Sequence, residues 1–189
     1  QHLSELEIVK QLLGEWDVKF EEQIQGEYKK RKYRVQYGES DYSFLNRMLE
    51  DAGISFFFEA KGDETVMILS DAPEAAQLRQ PPVPYHENPT DGDVEHFTQV
   101  RIGRRVRPGK YTVRDHDYRR PASFKLGASS SDAIGPEEKL ERYHYLPGGF
   151  LFESDKGDPT PSADDKGRYR TNEGIGSDIA KKRLDAKRA

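Results

Sequence analysis

The chain contains no cysteine among its 189 residues. That absence removes disulfides, thiolate nucleophiles and sulfur-ligated metal sites together, while remaining neutral about compartment. It suits a protein that folds in the cytosol and is later pushed into an oxidising space. No apolar run approaches the ~20 residues that span a bilayer, and no signal peptide is recognisable. A basic excess is also missing. The formal net charge of −4 argues against general nucleic-acid binding, because neutralising phosphates requires a basic face. No internal repeat is found. Hydrophobic residues make up only 34% of the chain, matched by 34% charged residues, which leaves little apolar surplus for a core. Either long solvated loops or missing neighbouring domains account for that balance. The chain stops at Ala189 inside a helical pattern without a C-cap glycine, so the expectation is a piece of a larger protein.

What is present begins with an amphipathic helix from Leu3 to Trp16, with Leu6, Val9, Leu13 and Trp16 on one stripe. Ser4 and Glu7 have capping-box spacing. Strands are expected over Asp17–Ile24 and Lys32–Tyr37, around a polar turn at Gly26. In the second of these, Tyr33, Val35 and Tyr37 alternate with polar residues at the period of a half-buried strand. Ser40 and Asp41 can N-cap a following helix. Phe44, Leu45, Met48, Leu49 and Ala52 share one face of it, and Gly53 stands where a left-handed residue would end it. Ile54–Glu59 and Thr65–Ser70 read as a hairpin across Lys61-Gly62-Asp63.

Composition changes at Pro73–Gly92, where Pro81, Pro82, Pro84 and Pro89 cannot donate to a ladder. Beyond it, Val94–Val106 and Tyr111–Tyr118 read as β, with shorter candidates at Ser123–Ala128 and Glu141–Tyr145. Glu153–Gly167 has almost no apolar content and is expected to be mobile. The division is therefore an α+β lobe over residues 1–80, a Pro-rich linker over 81–93, and a β-rich lobe over 94–189. The second lobe is expected to hold mainly antiparallel β, an acidic loop and a terminal helix.

Chemistry-bearing residues are few. Asp115-His116-Asp117, with His144 able to approach, could do acid–base work or hold a metal. On a strand the two carboxylates and His116 point to opposite faces, so the cluster splits unless a bulge intervenes. The structural reading is preferred, with no catalytic, metal or cofactor site expected. Gly174-Ile175-Gly176-Ser177 lacks the third glycine of a dinucleotide turn, and Ser177 as an N-cap explains it better. Asp155, Asp158, Asp164 and Asp165 lack calcium-loop spacing. Arg101, Arg104, Arg105, Arg107, Lys110 and Arg114 form a basic concentration. Between Arg101 and Lys110 no aromatic is available for base stacking, so a protein contact is favoured over nucleic acid. Phe56, Phe57 and Phe58 cannot share one face of a strand. Phe57 therefore requires a second cover, and it joins Arg101, Arg104 and Arg105 as a candidate interface residue.

The segment Tyr33–Glu59, read as Tyr-x-Val-Gln-Tyr-x-Glu-Ser-Asp followed by Phe-Leu-x-Arg-x-Leu-Glu-x-x-Gly-Ile-x-Phe-x-Phe-Glu, resembles the VgrG spike proteins of type VI secretion. Val66–Asp71 is similar to the strand that follows in that family. Tyr111–Pro121 resembles a later strand with an Asp-x-Asp-aromatic-x-x-Pro ending, and Ile179–Ala189 a helix leading to the next barrel. The resemblance implies a phage tail-hub-like fold, here a partial hub barrel behind the α+β lobe. It implies a homotrimer in the full-length protein, seated on the Hcp tube, with a C-terminal needle and effector. It also implies residence in the bacterial cytoplasm before firing and secretion or delivery into a target cell afterwards. The hub of a contractile phage tail or tailocin is the neighbouring alternative. A hydrolase using Asp115, Asp117 and His144 is the alternative from a different class.

Overall fold

The computed structural model describes residues 1–87, 94–103, 105–118, 120–152 and 174–188. The fold is α+β, with two small sheets and three α-helices among the described residues. Helix α1 (Glu5–Glu15) opens on the expected capping box. The Ser4 hydroxyl accepts from the Glu7 N–H, and the Glu7 carboxylate accepts from the Ser4 N–H at 2.7 Å. At its far end Asp17 takes a positive φ of 51°, and the Val18 N–H reaches back to the Leu13 carbonyl at 2.9 Å. This left-handed stop turns the chain into β1 (Phe20–Gln23). Helix α2 (Asp41–Ala52) is capped by Ser40 and closed by Gly53 at φ 74°. Strands β2 (Ser55–Lys61) and β3 (Glu64–Ser70) then form a hairpin, with Gly62 at positive φ in its turn.

The first sheet has the order β1-β3-β2, with β1 parallel to β3 and β2 antiparallel to it. Helices α1 and α2 cover one face. Val9, Leu13, Phe44, Leu45, Met48, Leu49, Ile54, Met67 and Leu69 make the N-terminal core, with Phe56 at its edge. The five α2 residues assigned to one stripe are all buried.

The second sheet has the order β5-β4-β6 and comprises β4 (Lys110–Arg114), β5 (Gly127–Ser131) and β6 (Glu141–Tyr145). β4 pairs antiparallel with β5 and parallel with β6, so one of its two pairings departs from the expected antiparallel arrangement. Helix α3 (Ile175–Arg188) packs across it, burying Ile179, Ala180 and Leu184 with Tyr111, Val113, Leu126 and Phe150.

Several expectations require correction. Lys32–Tyr37 is not a strand, and Tyr33, Val35 and Tyr37 are exposed while Arg31 and Lys32 are buried. Arg31 and Lys32 are consecutive and both buried, so burial here follows no two-residue period. Val94–Val106 holds no strand among its described residues, only a single bridge from Phe97 to Tyr85. Its apolar residues Val100, Ile102 and Val106 find no sheet to cover and stay in solvent. The strand expected at Ser123–Ala128 lies later, at Gly127–Ser131, because the Ser-rich run supplies backbone pairing to β4. Ser177 is inside α3, which starts at Ile175. Gly176 allows this early start, since a Cβ there would meet the Phe150 ring and approach Ala128 Cβ to 2.8 Å. Glu153–Gly167 lies outside the described residues.

Candidate functional site

Two features could do more than hold the fold. The first is an open apolar groove on the N-terminal core. The C-cap of α1 leaves Trp16 on the surface, the N-terminus of α2 does the same for Tyr42, and the middle of β2 presents Phe58. These three aromatics are 66%, 70% and 61% exposed. Between them lies a cavity of about 710 Å³, floored by Leu12, Leu13, Leu45, Phe56 and Met67. The Trp16 indole is held in place by an Nε1–H bond of 2.9 Å to Asp41. Hydrogen bonds from Gln36 and then from Trp16 keep the Asp41 carboxyl below its ordinary pKa, so it stays ionised at the groove edge.

The second feature is a polar seam between the two cores. Arg31 is the residue where backbone bridges from Leu3 and from Phe152 meet. Its guanidinium lies 3.8 Å from the Phe152 ring centroid, donates to Glu5 at 2.5 Å, and donates to the Gly149 carbonyl at 2.7 Å. Burial lowers its pKa, with Glu5 opposing the shift. Arg34 adds a second contact to Glu5 at 3.0 Å. From α3, Arg183 pairs with Asp51 at 2.6 Å and Lys182 donates to the Ala52 carbonyl at 2.6 Å. Tyr28 completes the seam by donating to Asp71 at 3.0 Å, and burial, then Asp71, raises its pKa. Arg31, Arg34 and Arg183 each meet a carboxylate, Lys182 a carbonyl, and Asp71 accepts from the Gln25 and Gly26 N–H groups as well as from Tyr28, an arrangement suited to fastening.

The acidic–histidine cluster does not converge in this way. Asp115 accepts from the neighbouring His116 N–H at 2.7 Å, and Asp117 is buried. His144 on β6 is opposite Val113, and its ring nitrogen lies 3.3 Å from the Tyr111 hydroxyl. Its pKa is lowered by burial and then by Arg183 and Arg142, and the carboxylate that opposes the shift is Asp51 of α2. Among the described residues no three His, Asp or Glu side chains gather as a metal cage.

The candidate interface residues are also dispersed. Phe57 is half-buried opposite Ile68, whereas its neighbours Phe56 and Phe58 line the groove in an edge-on pair at 5.9 Å. Arg101 is exposed, and Arg105 lines a crevice at the C-terminal core with Val106, Arg107, Ile134, Glu137 and Arg188. Arg104 lies outside the described residues. Sequence reading missed Trp16 and Tyr42, assigning the first to a core stripe. The signal available was the position of each at a helix end, where the packed face runs out.

Over residues 1–189 the chain matches the profile of the family described as Phage tail baseplate hub (GPD). The chain belongs to this family. Among curated relatives of this hub domain is the type VI secretion system spike protein VgrG1a of Pseudomonas aeruginosa. It is 36% identical over 132 residues, covering 65% of this chain and 20% of that protein. VgrG4b of the same organism is 28% identical over 156 residues, covering 80% of this chain and 19% of that protein. The actin cross-linking toxin VgrG1 of Vibrio cholerae is 25% identical over 127 residues, 64% of this chain and 11% of that toxin. The chain thus spans about a fifth or less of the length of these relatives. The VgrG resemblance read from Tyr33–Glu59 agrees with them.

Proposed function

We propose that this chain is the hub-domain portion of a type VI secretion spike, acting by association and making or breaking no bond. In the full-length protein it contributes to a homotrimer that joins the Hcp tube to a C-terminal needle and its effector. It is made in the bacterial cytoplasm and leaves with the spike on firing. The division into residues 1–80, a linker at 81–93 and residues 94–189 belongs to the same reading. The geometric observation that supports it is the aromatic groove at Trp16, Tyr42 and Phe58, a surface built for cover by protein. The seam of paired charges and the dispersed Asp115, Asp117 and His144 fit a load-bearing part better than an active site.

The family description favours one second reading, the hub of a contractile phage tail or tailocin. Deleting the encoding gene separates the two. A spike component is expected to abolish release of the tube protein into the medium, with restoration by the parent and by an Asp117→Asn variant. Loss of intact tail particles with tube release unchanged would favour the phage reading. Failure of Asp117→Asn to restore release, despite normal folding, would reopen catalysis.

A further inference from the structure

The aromatic groove has an electrostatic border. The two segments that flank it, Glu15-Trp16-Asp17 and Glu39-Ser40-Asp41, contribute four carboxylates and no cation of their own. Arg47 answers Glu39, while Glu15 takes only the neutral Gln11 amide and Asp41 takes Trp16 and Gln36. The groove mouth therefore carries negative charge around an apolar floor. An occupant that fits presents apolar side chains to Phe56, Phe58 and Trp16 and cations to the border.

The same chain displays such a segment. Val100 is 66% exposed and Ile102 is 89% exposed, and the flanking Arg101 and Arg105 are exposed as well. This stretch lies in no strand or helix, so its alternation of apolar and basic residues serves no sheet of its own. It does not line the groove of its own copy. Arg107, just beyond, is tied to the C-terminal core through Glu137 and the Lys187 carbonyl, which fixes the segment at the opposite core from the groove.

We propose that the groove at Trp16, Tyr42 and Phe58 receives Val100, Arg101 and Ile102 of a second copy of this chain, with Arg105 facing the acidic border. The contact is heterologous, one surface meeting a different surface, and so generates a ring when the rotation closes. It deepens the assembly reading above and rests on it.

The absence of cysteine gives a clean test. Single-cysteine variants Tyr42→Cys and Ile102→Cys, each at an exposed position, are mixed under mild oxidation and the disulfide-linked dimers are identified by mass. The mixed 42–102 dimer is expected to exceed the mixed product of Leu78→Cys with Ile102→Cys by about tenfold. Adding Arg101→Glu and Arg105→Glu to the Ile102→Cys chain is expected to remove that preference, and so is raising the salt, which screens exposed charges. Light scattering on the uncrosslinked parent supplies the second readout. Self-association without a 42–102 preference would overturn the inference and leave the assembly reading standing. A strictly monomeric parent without cross-linking would also overturn it, and the gene deletion above then judges the assembly reading separately.

Discussion

Arg31→Met is the most informative single change, because it keeps a long side chain over Phe152 while removing the charge and its hydrogen-bond donors. Glu5 then stays 4% exposed, with Arg34 at 3.0 Å as its remaining cation. Removing one partner of a buried ion pair costs about 3–5 kcal/mol, since the other charge is left without compensation. The surviving Arg34 moves the expectation toward the lower end. The Gly149 carbonyl, deprived of its donor at 2.7 Å, moves it back by about 1–3 kcal/mol. The expected loss is therefore about 3–5 kcal/mol in urea unfolding followed by circular dichroism. The double variant Glu5→Gln, Arg31→Met is expected to recover most of it, because it removes the orphaned charge as well. Amide hydrogen exchange should place the damage at the seam, with α3 losing more protection than α2. A single variant within about 0.5 kcal/mol of the parent, the usual effect of a surface change, would refute the reasoning. So would a double variant no better than the single one.

Other outcomes follow from individual contacts. Leu49→Ala, at a site 3% exposed in the N-terminal core, is expected to cost about 2–5 kcal/mol by the same unfolding assay. Gly176→Ala should lower the melting temperature, although an exposed helical glycine gains about 1 kcal/mol on that change. The sign reverses because the new Cβ would collide with Phe150 and Ala128. Tyr28 has a folded-state pKa raised above its unfolded value, so its contribution is fully present below about pH 10 and is lost as pH rises beyond it. Tyr28→Phe should flatten that alkaline limb in a pH series of melting temperatures, and an unchanged limb would assign it to another group.

Legibility in the sequence followed the range of the interaction. Ser4 with Glu7, Ser40 and Gly53 act on backbone groups a few residues away, and each was placed correctly. The α2 stripe and the β2–β3 hairpin are likewise local patterns that the core simply accepts. Lys32–Tyr37 failed because the chain entering it is set by the burial of Arg31 against Glu5, Gly149 and Phe152, distant partners that no local periodicity announces. Val94–Val106 failed for the converse reason: alternation there is real, but no neighbouring strand accepts it. The groove was invisible as a unit, since Trp16, Tyr42 and Phe58 come from three separate elements. Gly176 resembled a loop residue in sequence, and only its closeness to Phe150 explains it inside a helix.

The backbone stitch from Leu3 through Arg31 to Phe152 has a consequence for how the chain is made. Helix α2 and the β2–β3 hairpin close over short stretches, so the N-terminal core can gather while later residues are still being synthesised. Arg31 and Glu5 cannot be sealed at that stage, because Gly149, Phe152 and α3 emerge much later from the ribosome. Until then a charged strip lies open along a folded surface, hydrated and held off from premature contacts by its own solvation. Docking of α3 thus becomes the later step that dries the strip and joins the two cores.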